Sequence, residues 1–373
     1  MNPIVQFGTS RFLQAHADLF VSEALAVGAA LGGITIVQTS DSAQSARRVA
    51  AFKRADGFPV RIRGWQNGVA IDVERRVGSV TEALQTSLDW ALILERVAGS
   101  AQVILSNTAD QGYALSAADH AGLLGSGVVP HSFPAKLLVL LHTRFLRTGA
   151  PITLFPCELV TRNGDVLKGL VLMLAQQWQL GAEFLAYLEH RCIWINSLVD
   201  RIVSEPIEPI GAVAEPYALW AIERQPNMTL PCRHPQIVVT DNLERYARLK
   251  LFLLNLGHSH LAEQWLLGAR DADATVAQAM SDAAMSSQLD ALWEEEVLPV
   301  FVALGEGAAA REYLTQVRER FRNPFLAHRL SDIAQNHAEK TQRRFAPVVA
   351  LAEQLGLPLP QKRLRAALAG SKR

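Results

Sequence analysis

The chain has 373 residues, enough for two domains that each bury a core. Lysine plus arginine and aspartate plus glutamate both number 36, so the formal net charge is zero. This balance excludes the basic surface typical of proteins that bind nucleic acid or anionic membranes. The three cysteines are too widely spaced for a disulfide framework or a metal knuckle, and the start of the chain lacks signal-peptide features. We therefore expect a cytoplasmic protein without nucleic-acid or membrane partners.

The beginning of the chain follows the pattern of a strand, a tight turn and a helix. Ile4–Phe7 is a short apolar run, Gly8 can make the turn, and a helical pattern follows. Dinucleotide-binding domains usually open this way, although Ser10 stands where a second glycine would let the main chain approach a pyrophosphate. Arg11 and Phe12 would lie at the start of the helix, where main-chain N–H groups favour an anion.

A second predicted strand, Ile34–Thr39, is followed by Asp41. An acidic residue at this point suits the ribose hydroxyls of NAD, whereas Arg47 and Arg48 could instead receive the 2′-phosphate of NADP. Asp41 could equally be a helix N-cap. NAD is favoured, and NADP stays open.

The next region predicts a hairpin and a further ligand-facing strand end. Val60–Val80 alternates apolar and polar residues around a central Asn-Gly, which is typical of a β-hairpin. A helix is expected over Thr81–Val97, followed by a strand that ends at Asn107 and Thr108. Open parallel sheets bind ligands at such carboxyl ends, although a plain loop is the simpler interpretation.

The second half of the chain changes from sheet to helix. Asn163 and Gly164 could form a simple turn, and Asp200 with Arg201 could be a buried structural pair. Proline-rich stretches then precede an almost wholly helical pattern. We predict an α/β protein, with a Rossmann-type dinucleotide-binding domain over residues 1–205 and a mostly α-helical domain over residues 206–373.

One stretch of the helical half carries a set of polar residues that a plain core helix does not require. On a helix that turns about 100° per residue, Asn255 lies about 140° and His258 about 80° from Lys250. An amine, a carboxamide and an imidazole would then share one broad side. A desolvated lysine can act as a base, a carboxamide can hold a developing oxyanion, and an imidazole can orient a hydroxyl. The alternative is a surface lysine beside a core asparagine and histidine with satisfied hydrogen bonds.

The spacing Lys250-x4-Asn255-x2-His258 resembles the signature helix of the long-chain mannitol dehydrogenase family, which comprises polyol and hexuronate dehydrogenases. Similar motifs occur in the family's order from Gln6 to Arg344, over nearly the whole chain. The resemblance implies NAD-dependent hydride transfer to or from a secondary alcohol of a polyol or sugar acid, in a cleft between two domains.

The resemblance also implies roles for individual residues. Lys250 is the expected general base, Asn255 and Asn163 the oxyanion donors, and His258 a substrate contact. Further substrate contacts are expected from Asp200, Arg201 and Lys340. The expected cofactor-binding residues are Gly8, Ser10, Arg11, Phe12, Asp41, Asn107 and Thr108.

Other kinds of site are less well supported by the sequence. His258 and His260 are two residues apart and would point about 160° away from each other on a helix, so we expect no metal site. Two alternatives to a dehydrogenase stay open: a sugar isomerase or epimerase that retains NAD, and a non-catalytic sensor of NAD or sugar. A monomer or small homo-oligomer is expected.

Overall fold

The chain forms two compact units. A computed structural model describes residues 1–40, 42–54, 56–108, 112–268 and 271–370, with only the main chain at position 43. The first unit comprises Met1–Ile62, Val73–Ala214 and Ala218–Leu243, and the second comprises Arg63–Asp72, Glu215–Tyr217 and Glu244–Arg373. The main division thus follows Leu243 rather than residue 205, because a small sheet built from residues 197–240 belongs to the first unit.

The strands of the described residues are numbered in chain order. They are β1 (Ile4–Phe7), β2 (Ile34–Gln38), β3 (Phe58–Gln66), β4 (Val69–Val77), β5 (Val80–Gln85), β6 (Val103–Ser106), β7 (Ile152–Pro156), β8 (Cys192–Trp194), β9 (Ser197–Asp200), β10 (Val203–Pro206), β11 (Ala212–Ala214), β12 (Leu219–Glu223) and β13 (Ile237–Thr240).

The main sheet of the first unit has six strands in the order β5-β2-β1-β6-β7-β8. Its paired strands run parallel throughout. This is the strand order of a Rossmann fold, in which the order reverses beside the first strand and ligands bind at the carboxyl ends there. Strands β1, β6 and β7 are buried along their whole length, as expected for a parallel sheet covered on both faces.

The described residues also form two sheets that are smaller than the main sheet. One has the order β10-β11-β3-β4 and the other β13-β12-β9. The hairpin of β3 and β4 turns at Asn67 and Gly68, whose φ values of 53° and 76° are those of the two-residue turn that Asn-Gly favours. The predicted hairpin is therefore present.

The helices of the described residues are also numbered in chain order. They are α1 (Arg11–Leu13), α2 (Leu19–Ala26), α3 (Ala43–Phe52), α4 (Thr86–Ala98), α5 (Phe133–Arg147), α6 (Asn163–Gln177), α7 (Ala182–His190), α8 (Leu243–Leu249), α9 (Leu256–Leu267), α10 (Val276–Ser281), α11 (Ala283–Leu292), α12 (Leu298–Ala303), α13 (Gly307–Phe321), α14 (Leu330–Ile333), α15 (His337–Gln354) and α16 (Lys362–Gly370). A 3₁₀ turn covers Ala121–Leu123.

Three π-helical segments interrupt the helices of the described residues. They are π1 (Gln14–Asp18) between α1 and α2, π2 (Lys250–Asn255) between α8 and α9, and π3 (Trp293–Val297) between α11 and α12. Such segments are rare and are often associated with functional sites. One of the three, π2, begins and ends at Lys250 and Asn255, which the sequence singled out.

The predicted fold class is confirmed, but one predicted helix was wrong over its first part. Residues Val80–Gln85 form β5, which pairs with β2 at the edge of the main sheet, and the helix begins only at Thr86. Pairing with a neighbouring strand overrides the helical preference of Glu82, Ala83 and Leu84.

The second unit is built around its own helical core. Buried apolar side chains of α8 to α16 and the intervening π-segments form one cluster that includes Leu253, Trp293, Phe301 and Phe345. None of the helices in the described ranges is both long enough and apolar enough to cross a membrane.

A fully buried carboxyl group in π1 gives the first unit a pH-dependent stability. Burial raises the pKa of Asp18 to about 8, and the neighbouring Gln6 side chain opposes this rise. In the unfolded chain the same carboxyl titrates near pH ~4. Asp18 therefore stabilises the folded state fully below about pH 4, and this contribution is lost as the pH rises to about 8.

The Asp18→Asn variant is expected to lose this dependence, because an amide of similar shape does not ionise. Its melting temperature should exceed that of the wild type at pH 8, and the difference should shrink at pH 5. Thermal unfolding at both pH values measures this. Asp241→Asn, which changes an exposed carboxyl group, is the control. Equal differences between Asp18→Asn and wild type at both pH values would contradict the prediction.

Candidate active site

The turn after β1 lies where the strand order of the main sheet reverses. Gly8 adopts a φ of 116°, a conformation that side chains rarely permit. A Cβ at this position would lie 2.5 Å from the main-chain oxygen of Asn107, which follows β6. Glycine is thus needed for both conformation and close approach, and the turn lies against the end of the adjacent strand.

Ser10 connects the turn to Asn107. Its hydroxyl is 3.0 Å from Asn107 Oδ1 and also accepts the main-chain N–H of Leu13, so that Ser10 caps the following helix. The amide of Asn107 donates to the main-chain oxygen of Cys157 at the end of β7. The ends of β1, β6 and β7 are therefore joined through these side chains.

Glu158 organises the same edge of the sheet and was not among the predicted site residues. Its carboxylate accepts the main-chain N–H and the hydroxyl of Thr108, both at 3.0 Å, and the hydroxyls of Ser106 and Tyr113, both at 3.1 Å. Burial, followed by the charge of Glu158, raises the pKa of Tyr113 above its usual range. An acidic residue two positions after a buried parallel strand was the available signal.

Asn163 holds main chain rather than facing an open site. Its amide nitrogen lies 3.0–3.1 Å from the main-chain oxygens of Pro156, Glu158 and Ser197, and its oxygen accepts the N–H groups of Gly164 and Ser197. The residue is 1% exposed. These contacts occupy both amide hydrogens, so the geometry favours a structural role over the expected oxyanion role. The predicted Asn-Gly turn is the first turn of α6.

The remaining predicted residues of the first unit occupy different surroundings. Arg11 is exposed and pairs with Glu208 at 3.6 Å, while Phe12 stacks on His16. Asp200 ends β9 and is buried, and the adjacent Arg201 donates to the main-chain oxygen of Ala15 within π1. Asp41 lies outside the described residues.

In the second unit, Lys250 and Asn255 are the first and last residues of π2. The N–H of Leu256 donates to the main-chain oxygen of Leu251, five residues earlier. In this π-turn, residues five positions apart are therefore separated by about one turn of the helix. In a regular α-helix the same two residues would point about 140° away from each other around the helix axis. The π-segment brings Lys250 and Asn255 closer to one side of the helix than the sequence predicted. Both are half-buried.

His258 lies on the following turn, in α9, and is 7% exposed. Its ring stacks on Phe321 at 4.3 Å between centroids and meets the edge of His328 at 4.7 Å. Burial lowers the pKa of His258 well below its usual value, and the positive potential of His328, Arg320 and Arg344 adds to this. The imidazole is therefore neutral at pH 7 and suited to hydrogen bonding rather than to charge pairing.

Two cations lie one turn apart on α15, and one of them contacts this helix. Arg344 donates to the main-chain oxygen of Asn255 at 3.1 Å and to the hydroxyl of Ser259 at 2.7 Å, and Lys340 is one turn earlier on the same side. Lys340 donates to the main-chain oxygen of Ile333 at 2.9 Å. All these acceptors are uncharged, whereas the adjacent Arg343 pairs with Glu339.

The pKa shifts of Lys340 and Arg344 indicate an excess of positive charge around these two side chains. Burial lowers the pKa of Arg344 to about 10, with a further contribution from Arg343. Burial and then the charge of Arg344 lower the pKa of Lys340. An anion placed here would relieve both effects. Arg344 was not predicted as a site residue, although its spacing of four from Lys340 on a helix was the available signal.

The fold and these residues define the class of protein. A Rossmann sheet with a glycine turn at its switch point, and a helical unit that carries lysine, asparagine and histidine on one helix, are the parts of a two-domain oxidoreductase. The model of the mannitol dehydrogenase Rossmann domain matches residues 2–232, and that of the mannitol dehydrogenase C-terminal domain matches residues 242–373. The chain belongs to the mannitol dehydrogenase family, which confirms the family resemblance.

Individual relatives agree with this assignment. The chain is 31% identical to an altronate oxidoreductase of Yersinia pestis bv. Antiqua, over 96% of the chain and 77% of the relative. It is 30% identical to an altronate oxidoreductase of Halalkalibacterium halodurans, over 92% of the chain and 69% of the relative.

Solved structures share the fold. A substrate-free D-sorbitol dehydrogenase matches with a TM-score of 0.84 at 20% identity, over 99% of this chain and 80% of the other. Pseudomonas fluorescens mannitol 2-dehydrogenase, in a ternary complex with NAD and D-mannitol, matches with a TM-score of 0.76 at 18% identity. The match covers 99% of this chain and 79% of the other. Within the part of the chain that the structure describes, no group of three histidine, cysteine or acidic side chains is arranged to hold a metal ion.

Proposed function

We propose that the chain is an NAD-dependent dehydrogenase that interconverts a secondary alcohol of a sugar acid and the corresponding ketone. The observation that carries this proposal is the pair of cations on α15, Lys340 and Arg344, of which Arg344 contacts the helix that bears Asn255 and His258. A polyol has no charge for these cations to bind, whereas a sugar acid has a carboxylate. The names of the altronate oxidoreductase relatives support the same substrate class.

The first unit fits a dinucleotide. Gly8 gives the turn at the switch point, and Ser10, Asn107 and Thr108 surround the adjoining strand ends. Arg48 donates to the Thr9 hydroxyl at 3.2 Å, which places a guanidinium beside the turn, where the negative charge of a pyrophosphate is favourable. Bound NAD would supply the acceptor for the hydride from the carbon that carries the alcohol.

The second unit supplies the acid–base chemistry. Lys250 takes the proton of the substrate hydroxyl, and the amide of Asn255, one turn away, donates to the oxygen that becomes negative. The neutral His258 hydrogen-bonds and orients a substrate hydroxyl. Lys340 and Arg344 hold the carboxylate, which fixes the substrate relative to Lys250.

A matched pair of substrates tests the proposal. The purified protein is given NAD with D-altronate or with the corresponding alditol, in which a CH₂OH group replaces the carboxylate, and NADH absorbance is followed. D-mannitol and D-sorbitol extend the panel, and NADP replaces NAD in a parallel series. We expect turnover with D-altronate and NAD, and a kcat/KM at least about tenfold lower for the alditol, because one charge-assisted contact contributes about 1.5–3 kcal/mol.

The substrate panel tests carboxylate recognition and the dehydrogenase reaction separately. Equal activity on acid and alditol would overturn carboxylate recognition but retain the dehydrogenase. Absence of turnover with every substrate of the panel, despite NAD binding measured by calorimetry, would overturn the assigned reaction.

The Gly8→Ala variant is expected to bind NAD about tenfold more weakly. A methyl group at a φ of 116°, 2.5 Å from Asn107 O, forces the turn away from the end of β6, at a strain of roughly 1–3 kcal/mol. Calorimetric titration with NAD measures the change. Gly169→Ala is the control, because its Cβ would lie in open space on α6. Unchanged NAD affinity in Gly8→Ala would show that the turn is not part of the cofactor site.

A further inference from the structure

The alignment of Lys250 with Asn255 depends on π2 remaining a π-turn. If the segment returned to a regular α-helix, the two residues would diverge to about 140° around the axis. A π-turn within an α-helix changes the main-chain hydrogen-bonding pattern, and its carbonyl oxygens can accept a second hydrogen bond from a side chain. A side chain that donates to a carbonyl oxygen within π2 therefore fixes the position of that oxygen.

Trp293 donates directly to the π-turn. Its indole Nε1 lies 3.1 Å from the main-chain oxygen of Leu253, in the middle of π2. The same oxygen also accepts the N–H of Leu256. Trp293 is fully buried and is itself the first residue of π3, so the donor is held by the core of the second unit.

The same indole packs against the turn that carries His258. A Cβ on Gly257 would lie 2.5 Å from Trp293 Cζ2 and 3.1 Å from Phe321 Cε2, so only glycine permits this approach. Trp293 and Phe321 contact each other with centroids 5.8 Å apart. Phe321 in turn stacks on the imidazole of His258 at 4.3 Å. One aromatic pair thus contacts both π2 and the His258 ring.

We propose that Trp293 and Phe321 are positioning residues for the reaction: Trp293 holds π2 in its π-form, and Phe321 sets the plane of the His258 ring. This inference rests on the proposed function, since it concerns the geometry of Lys250, Asn255 and His258. Both aromatic side chains are buried, Trp293 at 0% and Phe321 at 2% exposed. Their effect is transmitted through the Leu253 carbonyl, through Gly257 and through ring stacking.

The Trp293→Phe variant removes the N–H donor and keeps an aromatic ring. We expect kcat to fall by about ten- to a hundredfold, because small displacements of catalytic groups have effects of this size. The dissociation constant for NAD should stay within about twofold of wild type, since NAD is assigned to the other unit. The matched control is Trp194→Phe, which removes a buried indole donor to the Leu188 main-chain oxygen in the first unit, at 2.8 Å.

A kinetic isotope effect distinguishes positioning from loss of folded protein. The most active substrate of the panel is deuterated at the carbon that is oxidised. Misaligned groups slow the chemical step, so the isotope effect on kcat should rise in Trp293→Phe. A smaller active fraction lowers kcat without changing the isotope effect. Gly257→Ala, which forces the indole away from α9, should give the same pattern.

Hydrogen exchange supplies a readout that does not depend on activity. The amide of Leu256, which donates across the π-turn, should exchange faster in Trp293→Phe than in Trp194→Phe. Suppose that the wild type is active and that Trp293→Phe matches Trp194→Phe in kcat, isotope effect and amide exchange. This result would overturn the positioning inference and leave the proposed function intact. An inactive wild type would overturn the proposed function instead.

Discussion

We expect the Lys250→Ala variant to lose about 10²- to 10⁴-fold in kcat, while its affinity for NAD stays at the wild-type value. This range is typical for removal of a general base, because the hydroxyl proton must then leave without a positioned acceptor. Lys250 opens the π-segment that also ends at Asn255, in the second unit, whereas the dinucleotide is assigned to the first. Initial rates with D-altronate and calorimetry with NAD measure the two quantities.

Chemical rescue makes this prediction more specific. A small primary amine added to Lys250→Ala should restore part of the turnover, in proportion to the concentration of its unprotonated form. Lys362→Ala, which removes an exposed lysine of α16 in the same unit, should behave as wild type and should not respond to the amine. A parallel loss of kcat and NAD affinity in Lys250→Ala, without rescue, would indicate a structural lysine.

The sequence predicted β1, β2 and β6 well because each is a short run of mostly apolar residues that is buried along its whole length and is followed by polar residues or glycine. The error at β5 has the opposite cause. Glu82, Ala83 and Leu84 favour a helix locally, and only the parallel pairing with β2 makes them a strand. A contact between segments more than forty residues apart in sequence leaves no local pattern.

The candidate site shows the same division between local and long-range information. The spacing of Lys250, Asn255 and His258 is visible in the sequence, but the hydrogen bonds that the π-turn between the first two accepts from Trp293 and Arg344, which lie far along the chain, are not. Asn163 shows the limit of residue type as a guide. A carboxamide is equally suited to an oxyanion and to main-chain groups, and only the fold reveals that main chain surrounds it.

Breaking the buried ion pair of the second unit is expected to cost about 3–5 kcal/mol in free energy of unfolding. Glu215 and Arg320 form two hydrogen bonds at 2.8 and 2.9 Å, with side chains 1% and 3% exposed. Arg320 also lies over the ring of Tyr217 at 4.2 Å. The Glu215→Gln variant keeps the shape of the side chain but leaves a buried guanidinium without its counter-charge. Urea denaturation followed by helical circular dichroism measures the loss.

A double-mutant cycle shows whether the loss arises from the unpaired charge. Removing both charges in Glu215→Met/Arg320→Met should cost much less than Glu215→Met alone, because an apolar pair has no charge to desolvate. The control Glu339→Gln breaks the exposed pair with Arg343 and should cost less than about 1 kcal/mol. If the two single substitutions were simply additive, the pair would not act as a unit, and the segment Glu215–Tyr217 would be held to α13 by packing rather than by charge.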